Sequence, residues 1–216
     1  MPNFLRSGTT DYKFILCFLR ILVLLGIFLV ALFVRIDPIL MTPEPIQFGF
    51  GPFGDSTLYH TIAYNLYAGN GYSGIDNGRA FGRPRGGTDV EYKPAVTRGP
   101  VYPVFLAAVY RLWGDEPAMQ SLARWHLNWD RVRIVQSVLD ALLCLVLFSA
   151  MRILYPGRYL PAILAAALYS ISFYNIYYTR MLLGEGITTF LVTIGLMAGV
   201  LAMKSGRLAY WFVFGA

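Results

Sequence analysis

Charge, histidine and cysteine are all scarce in this chain, and each shortage narrows what it can be. Only 14% of its 216 residues are charged, against about a quarter in a soluble domain. The two histidines, His60 and His126, stand far apart, so no ligand cluster of the kind a zinc site needs is visible. The two cysteines, Cys17 and Cys144, both fall inside apolar stretches; a mutual disulfide is not expected, and they say little about redox compartment. No internal repeat or low-complexity tract is present. That counts against a transporter built from paired repeats.

Apolar residues are abundant: 56% of the chain is hydrophobic and the mean hydropathy is +0.53. They lie in continuous runs, which makes an all-α integral membrane protein the expected class. The net charge of +6 needs no nucleic acid. Lys and Arg at helix ends, facing an anionic lipid surface, account for it.

The run 14–36 is long enough to span, since about 20 residues suffice. It exceeds a signal-peptide core of about 7–15 residues, and no small-x-small cleavage pattern follows cleanly. It reads as a retained first helix behind a cytoplasmic segment, 1–13, with Arg20 near its inner end placed to snorkel.

Residues 37–133 form a long polar stretch holding nine of the twelve acidic residues. Two amphipathic helices are expected inside it, near 55–68 and 100–113. Leu58, Ile62, Ala63 and Leu66 recur at helical spacing, as do Val101, Phe105, Ala108 and Leu112. Both read as helices lying along the membrane surface. Between them, 69–99 reads as a loop.

The remainder, 134–216, supplies spans at 134–151, 159–177 and 186–203 and the start of a fifth from 208. About four complete transmembrane helices are therefore expected. The short last stretch reads as belonging to a longer protein. Arg6 and Lys13, Arg152 and Arg158, and Lys204 and Arg207 all fall on one side, which positive-inside counting makes cytoplasmic. The long first loop and the turn 178–185 are then extracytoplasmic.

Three groups of residues carry a family resemblance: Asp55-x3-Tyr59-x3-Ala63-x-Asn65-Leu66-x2-Gly69-x-Gly71-Tyr72; Arg98-Gly-Pro100-Val-Tyr102-Pro103; and Arg133-Ile-Val-Gln136 followed by Arg180-Met-Leu-Leu-Gly-Glu185. In this order they resemble the N-terminal part of the GT-C membrane glycosyltransferases, the protein-mannosyltransferase and aminoarabinose-transferase branch (glycosyltransferase family 39). Two departures bear on the acceptor. Many relatives have adjacent acids where Ser56 follows Asp55, and some have Arg where Leu58 stands.

The resemblance implies transfer of a sugar from a polyprenyl-phosphate donor, in a membrane lipid, to a protein, lipid or glycan acceptor. It implies a site on the outer face of a multi-pass protein of the bacterial inner (plasma) membrane. No cofactor is implied, and metal dependence stays open. Asp55 is then the base or acceptor-orienting acid, with Glu185 as a second acid. Arg98 and Arg180 are the donor-phosphate ligands, because guanidinium matches phosphate geometry. Tyr59 and Tyr102 are substrate contacts.

Each residue also has a plainer reading. Asp55 suits a helix N-cap, Glu185 a helix N-terminus, the arginines headgroup contacts, and Tyr59 an interfacial anchor. Asp140, within a span, reads as a helix–helix hydrogen-bonding group, or as the one feature favouring a transporter or flippase. A non-catalytic membrane subunit or fragment is the third alternative.

Overall fold

The computed structural model describes residues 7–41, 55–75, 92–94, 98–113 and 122–215. Among these, the elements in chain order are α1 (Ser7–Met41), α2 (Asp55–Tyr67), β1 (Ser73–Ile75), β2 (Tyr92–Pro94), α3 (Val101–Trp113), α4 (Leu122–Leu154), α5 (Leu160–Ser170), α6 (Phe173–Thr179), α7 (Glu185–Ser205) and α8 (Leu208–Gly215).

Among the described residues, three helices are long and apolar enough to cross a membrane: Phe14–Met41, Asp130–Leu154 and Glu185–Ser205, with a fourth crossing if α5 and α6 form one span. The shortest has 21 residues, or about 31 Å at 1.5 Å per residue, which matches a hydrocarbon core of about 30 Å. Much of their apolar surface is uncovered by protein: Phe14, Phe18, Leu25, Phe33, Val192 and Leu196 are all exposed. Such a surface needs lipid. This is a multi-pass membrane protein.

The element boundaries correct the sequence reading in four places. The first helix runs on to Met41 rather than ending at 36. Ile39 and Leu40 keep it apolar there, and the charge of Arg35 is wholly packed away. The fourth helix begins at Leu122 rather than 134, and the i,i+3 ion pair between Asp130 and Arg133 offsets charge at its entry to the apolar portion.

The third span is not continuous. α5 and α6 meet at a bend of 48°. At the break, Ser170 Oγ donates to the Ala167 carbonyl at 2.7 Å, a local side-chain bond that competes with the helical ladder. Finally, the stretch 69–99 is not all loop. β1 and β2 pair antiparallel, Ser73 opposite Pro94 and Ile75 opposite Tyr92. Gly69 and Gly71, with φ of 82° and 73°, reverse the chain between α2 and β1. That left-handed conformation is one glycine adopts readily. The rest of this stretch, 76–91 and 95–97, lies outside the described residues.

The chain divides into two compact units. One comprises Met1–Val34, Asp140–Phe173 and Phe190–Ala216. Its centre is Ala31, Ala141, Cys144 and Ala166, small residues that let helix backbones approach closely without lipid between them. The Tyr169 hydroxyl donates to Asp140 Oδ1 at 2.6 Å, so the intramembrane acid makes the expected helix–helix hydrogen bond.

The other unit comprises Arg35–Leu139 and Tyr174–Thr189. Its core joins Ala63 of α2 with Tyr102, Leu106, Val109 and Tyr110 of α3, Val132 of α4, and Leu182 and Ile187 around the start of α7. The two short helices are therefore buried on one side against protein. α3 keeps an apolar outer face, with Val101, Val104, Leu112 and Trp113 exposed.

Candidate active site

The second unit contains all six residues singled out from sequence. Asp55 opens α2, and Arg98 precedes α3. Between them lies the β pair and a tyrosine clasp: the Tyr72 hydroxyl donates to the Arg98 carbonyl at 2.8 Å. Asn65 Nδ2 holds the strand in turn through the Ser73 carbonyl at 2.8 Å. With its backbone pinned, Arg98 donates through one terminal nitrogen to Asp55 Oδ1. The two side chains remain 31% and 50% exposed, so the pair borders solvent. The Arg98 guanidinium also lies over the Tyr59 ring, 5.8 Å from its centroid, within cation–π range. The base and the phosphate ligand inferred separately are thus one ion pair.

Tyr59 sits one helical turn after Asp55 and meets Tyr102 edge to face, with ring centroids 5.0 Å apart. A Cβ at Gly184 would stand 3.6 Å from the Tyr102 Cβ and 3.9 Å from the Tyr59 hydroxyl. The turn before α7 therefore lies against both rings. Glu185, the first residue of α7, is exposed there, and its charge reaches Tyr102. Burial, followed by the neighbouring Tyr110, Glu185 and Tyr59, pushes the Tyr102 hydroxyl well above the usual phenol range. Tyr102 is a neutral donor at any working pH.

That hydroxyl donates to Gln136 Oε1 at 2.9 Å, and Gln136 Nε2 donates to the Met181 carbonyl at 3.1 Å. One glutamine thus ties α3, α4 and the turn before α7 together. This makes Tyr102 a buried framework residue, 4% exposed, rather than a group open to substrate. Arg180 is placed beside a different neighbour, the Arg133 guanidinium.

Arg133, Gln136 and Asp140, named separately from the sequence, belong to one stripe on α4. Asp130, Arg133, Gln136, Ser137 and Asp140 recur at helical spacing, and Arg133, Gln136, Ser137 and Asp140 are all buried. A polar stripe on one face of an apolar helix was the available signal. It marks the face that packs against protein. His60 was undervalued: its Nδ1 and the Tyr110 hydroxyl are 2.8 Å apart and both side chains are buried.

Among the described residues, no group of three or more His, Cys, Asp and Glu is placed to hold a metal ion. No protein-family model, curated protein or solved structure matches this chain. The fold defines a class: a multi-pass, mostly helical membrane protein with a polar, partly exposed cluster around Asp55.

Proposed function

We propose that this protein is a membrane glycosyltransferase that moves a sugar from a polyprenyl-phosphate donor to an acceptor at the extracytoplasmic face. One observation carries the reading: a half-exposed carboxylate, Asp55, is held by a guanidinium that itself rests over an aromatic ring. Transfer breaks the bond between the anomeric carbon and the phosphate oxygen and forms one to an acceptor oxygen or nitrogen. The acceptor must give up a proton while the departing phosphate gains charge. A carboxylate within reach accepts the first, and a fixed guanidinium stabilises the second.

Asp55 offers its second oxygen, Oδ2, for the acceptor, since only Oδ1 is engaged among the described residues. Arg98 presents further N–H donors toward phosphate, and its charge balance shifts as the leaving group forms. Tyr59 gives the sugar a flat face and a hydroxyl. Glu185 supplies a second carboxylate on the same unit. Tyr102 acts at one remove, holding the turn that carries Glu185.

Replacing Asp55 by Asn tests this. Asp55 is in the first turn of α2, where losing its charge costs about 0.3–1 kcal/mol, and an exposed ion pair contributes only about 0–1 kcal/mol to stability. The Asp55→Asn protein is expected to fold and insert normally, while transfer from a polyprenyl-phosphate sugar falls at least about 100-fold, the low end for a lost general base. Unchanged turnover by that variant would remove the proposal.

A further inference from the structure

The first unit contains an arrangement of charge of its own. Tyr159 stands just before α5, after the tight connection 155–158. There the Arg158 N–H donates to the Tyr155 carbonyl at 3.2 Å, and Gly157 adopts φ 83°. The turn presents the Tyr159 ring to two arginines. The Arg20 guanidinium lies 3.6 Å from the ring centroid, and that of Arg152 lies 3.5 Å from it. Arg20 also donates to the Tyr159 hydroxyl at 2.7 Å. Beneath them is a cavity of about 120 Å³ lined by Leu16, Leu19, Val23, Phe148 and Ile163 together with Arg20 and Tyr159.

Donor accounting makes the arrangement incomplete. A guanidinium has five N–H donors. Arg20 uses one on Tyr159, and none of the others has an acceptor among the described residues. Arg152 has a buried nitrogen, Nη1, with no hydrogen-bond partner. Neither arginine meets a carboxylate among the described residues. Arg20 sits six residues into the apolar segment that starts at Phe14, about 9 Å along the helix. Near the end of a span a guanidinium reaches the headgroup level, where an anionic lipid group can pair with it.

The walls say what pairs with it. Leu19 and Val23 line the cavity and are also 50% and 44% exposed on the membrane-facing side of α1. The cavity therefore opens toward lipid. Polar donors at its mouth and an apolar floor match the two ends of a membrane lipid. Basic pockets between membrane helices bind anionic headgroups in this way.

We propose that Arg20, Arg152 and Tyr159 form a binding site for an anionic glycerophospholipid. The phosphate meets the Arg20 guanidinium beside the Tyr159 hydroxyl, with the charge of Arg152 on the other face of that ring adding attraction, and an acyl chain lies against Leu19, Val23, Phe148 and Ile163. The proposal is independent of any transferase activity.

The test is native mass spectrometry of the protein released from nanodiscs of phosphatidylglycerol and phosphatidylcholine in equal parts. Wild type is expected to retain phosphatidylglycerol preferentially. Each arginine replaced by Gln is expected to lower that preference about fivefold, the share of one basic residue at a lipid surface. Arg152→Gln alone serves if Arg20→Gln fails to fold. Arg207→Gln, an exposed basic residue outside the cavity, should leave the preference unchanged. Equal retention of the two lipids would overturn the site. So would an equal loss in Arg207→Gln, which signals only general surface charge. So would the same thermal stabilisation of the detergent-purified protein by inorganic phosphate alone, which assigns the cradle to a soluble anion.

Discussion

At the scale of single residues, the Asp55–Arg98 pair and the His60–Tyr110 pair show how exposure decides what an interaction does. Asp55 is half exposed, so its ion pair adds little stability and leaves the carboxylate available. His60 is 3% exposed, and burial lowers its pKa from 6.5 to about 4. The folded state therefore holds it neutral while the unfolded state protonates near 6.5. Above that pH the histidine is neutral in both states and adds no pH dependence. As pH falls from about 6.5 toward 4 the unfolded chain binds the extra proton and stability is lost, at up to about 1.4 kcal/mol per pH unit. The thermal midpoint in detergent is expected to fall across this window, and the His60→Gln variant to fall less steeply. Parallel curves would show that His60 contributes no such slope.

At the scale of elements, small residues govern which helices touch. α8 lies against α7 at Gly199, where a Cβ would come within 2.7 Å of the Phe214 ring. Two effects oppose one another in Gly199→Ala. Overpacking costs typically about 1–3 kcal/mol, while Ala in place of Gly gains up to about 1 kcal/mol of helix propensity. Phe214 is 48% exposed, so its ring has room to swing away, and the cost falls on the α7–α8 contact rather than on the core. The expected result is a thermal midpoint within a few degrees of wild type, with faster amide hydrogen exchange confined to 208–215. A collapse of overall stability would contradict it. The break between α5 and α6 belongs to the same scale. The apolar run 159–177 reads as one span because hydropathy does not register a change of helix direction.

At the scale of the whole molecule, the question is how many times the chain crosses. Gln136 bonds the Met181 carbonyl, so the N-terminal half of α4 and the turn before α7 belong together. A bent pair α5–α6 that crosses once carries the chain back after the 155–158 connection and makes four crossings; one that turns back leaves three. Cysteines introduced at Arg158 and Arg207, in a protein lacking Cys17 and Cys144, are expected to react with an impermeant maleimide from the same side. A cysteine at Ala68 is expected to react only from the other. If the bent pair were re-entrant rather than spanning, Arg158 and Arg207 would label from opposite sides.

Membrane class, the long helices and the two short ones were legible along the chain. Apolar runs and helical spacing are local properties, and lipid rewards them wherever they fold. Asp55, Arg98, Tyr59 and Glu185 could be named as chemistry-bearing residues for the same reason. Their assembly could not. Asp55 and Arg98 are 43 positions apart, and their pairing depends on a short β pair and a tyrosine clasp whose residues carry little individual signal. The burial of Tyr102 on Gln136 and the two arginines flanking Tyr159 likewise arise only when separate helices meet. The sequence alone determined what each segment prefers to be surrounded by. Tertiary structure decided which polar groups reach one another, because hydrogen bonds and ion pairs act over a few ångströms and the chain brings distant residues that close only when it packs.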